Sequence, residues 1–523
     1  MHQPVLMDAD IHEHAEVDDV PHRAGQFHAG LQILHLQHVG AEDGLGQLVT
    51  NVPSRLQQLG YDVPQCGNAY AYSLGGLFLA AGLQALGQAG DALGLHVRQR
   101  IACQLQQRLG GVIALRDISY NADGTVKAIT PLDGAPAKIR KRIIKDLDAC
   151  YFPAKPVVPF IEVIHDRAVQ EIFRGCIRGC RFCQAGFICR PVREKSVEVI
   201  NAQAKATCEN TGYDEISISS LSTSDYTKLE PMLEKMLEWT EPKHISLSLP
   251  SLRIDNFSKE LLQKTNHIRK SGLTFAPEAG TQRLRDVINK NVTEGEIFRT
   301  CLTAFEGGYT AVKLYFMLGL PTETDADLEG IAELGQKIVD LYYHQENKPK
   351  GKPVSVSISV STFVPKPFTP FQFEPQISKE ETERRQYYLR NCNKNRKVNI
   401  SWHDSATSYM EGVLARGDRR LSAVIEAAFK KGCKFDSWTE YFSLEKWLET
   451  FKECGIDPDF YTSRRRAYDE IMPWEHLDYG VSKSFLISEN KASHAGVTTP
   501  NCREKCSACG AARYGEGVCF EKR

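Results

Sequence analysis

Arg174-Gly-Cys176-Ile-Arg-Gly-Cys180-Arg-Phe-Cys183 is the stretch of this 523-residue chain whose reading decides its fold. Thiolates spaced three and then two residues apart can wrap one corner of an iron–sulfur cube and leave its fourth iron without a protein ligand. Gly175 and Gly179 let the backbone turn tightly enough to aim the sulfurs inward. Phe182, beside the last cysteine, is placed to keep water off a cluster. Zinc is the rival occupant, but zinc sites usually close with four ligands, and only Cys189 lies nearby. A disulfide framework does not suit a chain of this size that shows no secretory signal.

The loop resembles the signature of the radical S-adenosylmethionine (radical SAM) superfamily, down to the aromatic before the third cysteine. The resemblance implies a [4Fe-4S] cluster on Cys176, Cys180 and Cys183 whose open iron chelates the amino and carboxylate groups of SAM. It further implies reductive cleavage of SAM to methionine and a 5′-deoxyadenosyl radical. A reducing partner such as flavodoxin or ferredoxin would supply the electron.

Around the loop the sequence alternates β-rich runs with amphipathic helical stretches. Strands are expected at 169–174, 215–220, 244–249, 273–276, 311–317 and 354–362. Helices are expected at 196–209, 225–239, 258–269, 294–306 and 325–344. Six β–α steps at about 30-residue spacing predict an α/β fold with parallel strands, a partial (βα)6 barrel. Chemistry in such folds gathers at the carboxyl ends of strands, and the three cysteines directly follow the first. The expected organisation is an irregular segment at 1–112, a lead-in at 113–166, the core barrel at 167–375, a helical region at 376–490 and a Cys-rich tail at 491–523. In the helical region Trp438, Trp447 and Trp474 are expected as core anchors. The basic run Lys138–Lys145 reads as a solvated helix face packing by its isoleucines.

Each strand end offers a group. Ser219, Ser220 and Ser222 supply hydroxyls and carbonyls that can accept from an ammonium group, with Ser224 or Asp225 able to cap the following helix. Glu278 suits a ribose diol; Arg253 or Arg283 suits a carboxylate, with structural ion pairing an equal rival. By the resemblance these become the SAM amino, ribose and carboxylate partners, and Gly319-Leu-Pro321 becomes the adenine-side turn. Glu323 is expected to cap the helix that follows. Pro365–Gln372 resembles the barrel end of methylthiotransferases that modify tRNA or a ribosomal protein.

The nearest resemblance is to an uncharacterised bacterial radical SAM family that usually carries an amino-terminal cobalamin-binding-like domain. It also covers Gly186–Ser196, where Cys189 stands in place of an aromatic and reads as incidental. That amino-terminal domain is not recognisable here. The first lysine of the chain is Lys127, and eight of its fifteen histidines fall before residue 100, a composition of irregular sequence or of a reading-frame artefact. Asp10-Ile-His12-Glu-His14-Ala15 echoes a cobalamin-ligand motif, as does Ser73–Gly76, without a βαβ context, so both read as coincidence.

The tail repeats the three-then-two spacing at Cys502, Cys506 and Cys509 and adds Cys519. Four thiolates suit a closed site, either structural zinc or an auxiliary iron–sulfur cluster; unliganded thiols are the alternative. Sixteen cysteines without a signal peptide point to a reducing cytosol. The uncharged stretch 63–90 is too rich in Gln, Asn and Gly to favour a membrane span. A net charge of −1 argues against a polyanion-coating protein. A local basic surface from Arg384 to Lys397, bearing Tyr387 and Tyr388, could still track RNA phosphates, against the plainer reading of a solvated helix. The expected substrate is a macromolecule, RNA or a translation protein, or else a small metabolite. A non-catalytic, metal-stabilised binding module is the contrasting function.

Overall fold

The structure is a computed structural model that describes residues 116–249, 253–254, 273–346, 348 and 351–521. The readings of residues 1–112, of the stretch 63–90, of the two cobalamin-like motifs and of the helix at 258–269 lie outside the described residues.

Seven parallel strands carry the domain. Strands β1 (Ala168–Glu171), β2 (Glu215–Ser219) and β3 (Ser246–Ser248) pair in the order β1-β2-β3. Strands β4 (Leu273–Glu278), β5 (Ala311–Leu318), β6 (Ser355–Thr362) and β7 (Val398–Trp402) pair in the order β4-β5-β6-β7. Both sheets are all-parallel, which fits a partial barrel, and each of the six expected strands overlaps one of their strands, although the expected 169–174 strand stops at Glu171 and Phe173–Arg174 pairs elsewhere. β7 is a seventh that the sequence reading did not include. Its Val398-Asn-Ile400-Ser-Trp402 alternation is short and follows a highly charged helix, so it gives little periodicity to read.

The crossovers are helices α1 (Val197–Thr211), α2 (Leu229–Thr240), α3 (Glu294–Glu306), α4 (Asp325–His344) and α5 (Lys379–Cys392). Their starts follow local chemistry. Ser196 Oγ accepts from the Val199 N–H, and Thr293 with Glu296 forms a reciprocal capping box. The Thr223–Asp225 stretch is a 3-10 turn, and α2 begins at Leu229 without a side-chain cap from Ser224 or Asp225.

β6 shows why the barrel holds a site. Val356, Ile358 and Val360 are buried in one apolar cluster with Leu334, Ile338 and Val339 of α4. The intervening Ser355, Ser357, Ser359 and Ser361 alternate onto the opposite face, where they are only half-buried. β2 repeats the pattern with Ile216 and Ile218 inside and Ser217 and Ser219 on the other face.

After β7 come α6 (Ser405–Arg416), α7 (Leu421–Lys430), α8 (Leu444–Glu453) and α9 (Lys483–His494). Trp447 and Trp474 are buried, as expected of anchors. Trp438 is not: it is 61 % exposed, on a surface turn between α7 and α8 where no apolar neighbour encloses it. Before the barrel, Arg116–Tyr120 and Val126–Pro131 form an antiparallel hairpin. The basic run Lys138–Lys145 is no helix. Ile139–Arg140 is instead a short strand, pairing with Leu477–Asp478, because the Lys141 ammonium is drawn onto the Ile188 carbonyl (2.7 Å) and the Arg190 carbonyl. No helix among the described residues is long and apolar enough to cross a membrane.

A candidate cluster and cofactor site at the strand ends

The cysteine loop is an excursion closed at its base. Phe173–Arg174 and Arg193–Glu194 pair antiparallel, so residues 175–192 leave and re-enter the fold at one point. Gly175, at φ +98°, sits where a Cβ would press on the Pro191 and Cys189 carbonyls at 2.8 and 2.9 Å; only glycine fits there. Cys183 begins the short helix Gln184–Ile188, and its sulfur accepts from the Gly186 N–H at 3.4 Å. The Cys176 sulfur accepts from the Arg178 N–H at 3.4 Å. Such N–H···S bonds are typical of sulfur that carries negative charge. Burial, then the neighbouring thiols, pushes Cys176 up to about 12, and burial also raises Cys183. The donor set fits a thiolate-bound cluster: Cys176 lies in electrostatic range of Cys180 and Cys183, and a bound cation would offset the charge that Cys176 and Cys183 resist taking on.

Arg181 fixes the loop from behind. It is 0 % exposed and donates to Glu489 Oε2 on α9 (3.1 Å) and to the carbonyls of Asp286 (3.2 Å), Val287 (3.0 Å) and Val497 (2.7 Å). Asn289 adds a second tie, donating to the Gly179 carbonyl at 3.0 Å while accepting from the Thr499 N–H at 2.8 Å. Neither residue was singled out in the sequence, because each acts on partners more than 100 positions away. The arginine between two of the cysteines was the available signal.

Charged groups surround the trio. Asp225, a neighbour of Cys176, is gripped by Arg178 Nε (2.9 Å) and by Ser222 Oγ (2.6 Å). Arg253 lies against Asp225 and Lys290; its backbone N–H reaches Ser224 Oγ at 2.9 Å, and its Nη2 donates to the Lys290 carbonyl at 3.1 Å. Lys290 pairs with Glu278 at 3.1 Å, and both lie within electrostatic reach of Cys183. Glu278 ends β4 at φ +69°, a left-handed conformation costly for a side-chain-bearing residue and typical of functional sites.

The remaining expected residues divide. Ser219 uses its carbonyl to hold the Ile172 N–H at 3.2 Å, and Ser220 Oγ meets Thr223 Oγ1 at 2.8 Å, both at the end of β2 beside the loop. Arg283 spends its guanidinium on Thr322 Oγ1 (3.1 Å), the Thr322 carbonyl (2.9 Å) and Asp327, the structural ion pairing weighed against a ligand role. Gly319, at φ +87°, donates its N–H to Glu323 Oε1 at 2.8 Å. Glu323 therefore closes the Gly319–Pro321 turn, with Arg385 as its ion partner at 2.7 Å, and does not cap α4. The cap is Thr324, in a reciprocal box with Asp327, whose carboxylate accepts from the Thr324 N–H at 2.8 Å. Phe182 packs beside Phe363 and Phe371. Cys189 ends the short helix on the side facing Lys141 and Arg193.

The basic helix proposed for RNA, α5, has its charge largely answered. Arg384 pairs with Asp325 and Glu381, Arg385 with Glu323 and Glu381, and Tyr388 with Glu329, while Tyr387 lies exposed beneath Arg390.

In the tail, Cys519 lies within electrostatic reach of Cys502, Cys506 and Cys509. Among the described residues no three His, Cys, Asp or Glu side chains are gathered tightly enough to hold a single metal ion, and this applies to the Cys176 trio as well.

The chain is 29 % identical over 287 residues to an uncharacterized protein, MJ0966, of Methanocaldococcus jannaschii, covering 55 % of this chain and 60 % of that one. It is 26 % identical over 166 residues to a putative methylthiotransferase, MJ0865, of the same organism, covering 30 % and 36 % of the two chains. The match thus spans less than two thirds of either relative. Among solved structures, the cobalamin-dependent S-adenosylmethionine radical enzyme OxsB aligns at TM-score 0.32 and 14 % identity over 55 % of this chain and 46 % of that one. The radical S-adenosylmethionine methyltransferase TsrM of Kitasatospora setae aligns at TM-score 0.31 and 11 % identity over 40 % and 39 %. Residues 171–335 match the radical SAM superfamily, and the chain therefore carries a radical SAM domain.

Proposed function

We propose that this protein is a radical SAM enzyme that modifies a macromolecule, RNA or a component of translation. Cys176, Cys180 and Cys183 would hold a [4Fe-4S] cluster by three irons. Bound there, such a cluster supplies the electron that splits the SAM sulfonium into methionine and a 5′-deoxyadenosyl radical.

The chain's own residues have separable tasks. Arg181 and Asn289 hold the cysteine loop to α9 and to the turn after β4, so the sulfurs do not move when a ligand arrives. Arg253 is the better partner for the SAM carboxylate, because it borders the cysteine loop through Asp225 and Lys290 while Arg283 is committed to Thr322 and Asp327. Glu278, strained at the tip of β4 and balanced by Lys290, is the group to accept from a ribose diol. Ser219 and Ser220 offer oxygens to the ammonium, and the Gly319–Pro321 turn, locked by Glu323, offers backbone groups to the base. The reductant would be a low-potential one-electron carrier of the flavodoxin or ferredoxin kind. The macromolecular substrate rests on the methylthiotransferase-like relative and on Pro365–Gln372. Cobalamin is not part of the proposal, since the candidate motifs fall outside the described residues.

One observation carries the reading: Cys176, Cys180 and Cys183 stand on a base-closed loop at a strand end, with Asp225 beside Cys176 and Lys290 and Glu278 beside Cys183. The test is to reduce anaerobically reconstituted protein with SAM and measure 5′-deoxyadenosine. Its formation supports an enzyme. A full cluster that yields none would leave a metal-stabilised binding module as the better description.

A further inference from the structure

The tail is built against the cysteine loop at both ends. The Cys502 N–H donates to the Ile177 carbonyl (3.0 Å), one residue from Cys176, and the Val518 N–H donates to the Val192 carbonyl (3.3 Å) at the loop's exit. Gly517, at φ +61°, allows that second contact, because a Cβ there would collide with the Val192 oxygen. Cys509 is 7 % exposed, and its carbonyl accepts from the Ser482 N–H at 2.9 Å. The next residue, Gly510, is at φ +103°, where a Cβ would meet the Gly480 carbonyl at 2.7 Å. Cys509 and Cys519 share an apolar cluster with Phe187 of the cysteine loop.

Arg190 lies between the two sets of thiols. It is 3 % exposed and forms no ion pair with a carboxylate among the described residues. Nε donates to the Gly186 carbonyl (3.1 Å) and Nη2 to the Arg178 carbonyl (2.8 Å), while the buried Nη1 has no hydrogen-bond partner. The sulfurs that face it are those of Cys502, Cys509 and Cys176, with Cys509 near enough to accept from the guanidinium. A buried cation with an orphaned N–H costs several kcal/mol unless an anion faces it. Neutral thiols do not supply that charge; a thiolate-ligated cluster does.

We propose that Cys502, Cys506, Cys509 and Cys519 bind a second, fully ligated iron–sulfur cluster, with Arg190 as the shared cation between it and the Cys176 loop. The spacing of the first three repeats that of Cys176, Cys180 and Cys183. Cys519 lies within electrostatic range of Cys502, Cys506 and Cys509, so the fourth thiol belongs with the three that repeat the loop's spacing. Four thiolates leave no iron open, so SAM has no place there. The filled site clamps the first loop through the Cys502 and Val518 amides.

The test is the metal content of anaerobically reconstituted full-length protein. Wild type should hold about eight irons per chain, and C502S/C506S/C509S/C519S about four. C176A/C180A/C183A should also retain about four, bound in the tail, which keeps this proposal separable from the SAM-cleaving one. Cys506 is exposed, so C506S alone should fold normally while losing the tail cluster's reduced electron paramagnetic resonance signal. R190M, which removes the shared cation, should lower the iron held by the tail and by the Cys176 loop together. About four irons in wild type, whether alone or with one zinc per chain, would overturn the proposal, as would a C506S protein whose iron and spectrum match wild type.

Discussion

Replacing Arg181 by Met tests how the fold positions the three sulfurs. The guanidinium is wholly buried, and its deletion leaves the Glu489 carboxylate, itself only 7 % exposed, without its cation. It also strands the carbonyls of Asp286, Val287 and Val497. Breaking a buried pair from one side costs about 3–5 kcal/mol, a large share of a net stability of about 5–15 kcal/mol. R181M should therefore lower the denaturant midpoint of the anaerobic protein strongly and reduce the iron retained by the loop. Removing both charges in R181M/E489L relieves the orphaned carboxylate, so the double variant should be more stable than the sum of the singles by about 1–3 kcal/mol. Glu489 Oε1 also accepts from Thr499 Oγ1 at 2.7 Å, so some loss persists. Two results would refute the reasoning: R181M with wild-type stability and iron, or strictly additive effects in the cycle.

Asp327 is held below the ordinary carboxylate range: burial alone would raise it, but hydrogen bonds from Thr281, Thr324 and Arg283 outweigh that. The folded state therefore binds fewer protons there than the unfolded chain, so the contribution is complete above about pH 4 and lost as pH falls through the folded value. D327N should lower stability by about 1–2 kcal/mol at neutral pH and flatten the acid limb below pH 4. An unchanged acid limb, measured by denaturant titration at several pH values, would contradict this. Gly280, two residues past Glu278, packs where a Cβ would collide with the α4 backbone from Asp327 to Ile331. G280A should therefore cost at least about 1–3 kcal/mol and weaken SAM binding by displacing the β4 tip. A Tm within error of wild type would count against that contact.

The parallel core was legible because its strands alternate cleanly, as in Ser355-Val-Ser-Ile-Ser-Val-Ser361, and its helices carry caps such as Ser196, Thr293 and Ser378. Asp325–His344 was read to the residue for this reason. What could not be read depends on distant partners. Lys141 leaves a helix-like basic run for two loop carbonyls, Glu323 turns from α4 to Arg385, and Arg181 finds its carboxylate 308 residues away. Periodicity is local, and these choices are settled by tertiary contacts. At the site, residue types at strand ends named Glu278 and both arginines. The packing puts Arg253 beside Asp225 and Lys290, next to the cysteine loop, and Arg283 on Thr322 and Asp327.

The most direct measurement is the electron paramagnetic resonance of dithionite-reduced C502S/C506S/C509S/C519S protein, with and without SAM. The Cys176 loop is then the candidate left to hold a cluster, and the account predicts a reduced cluster signal whose g-values shift when SAM meets the open iron, both lost in the further C176A/C180A/C183A variant. A signal indifferent to SAM, zinc in place of iron, or iron that survives loss of the trio would contradict it.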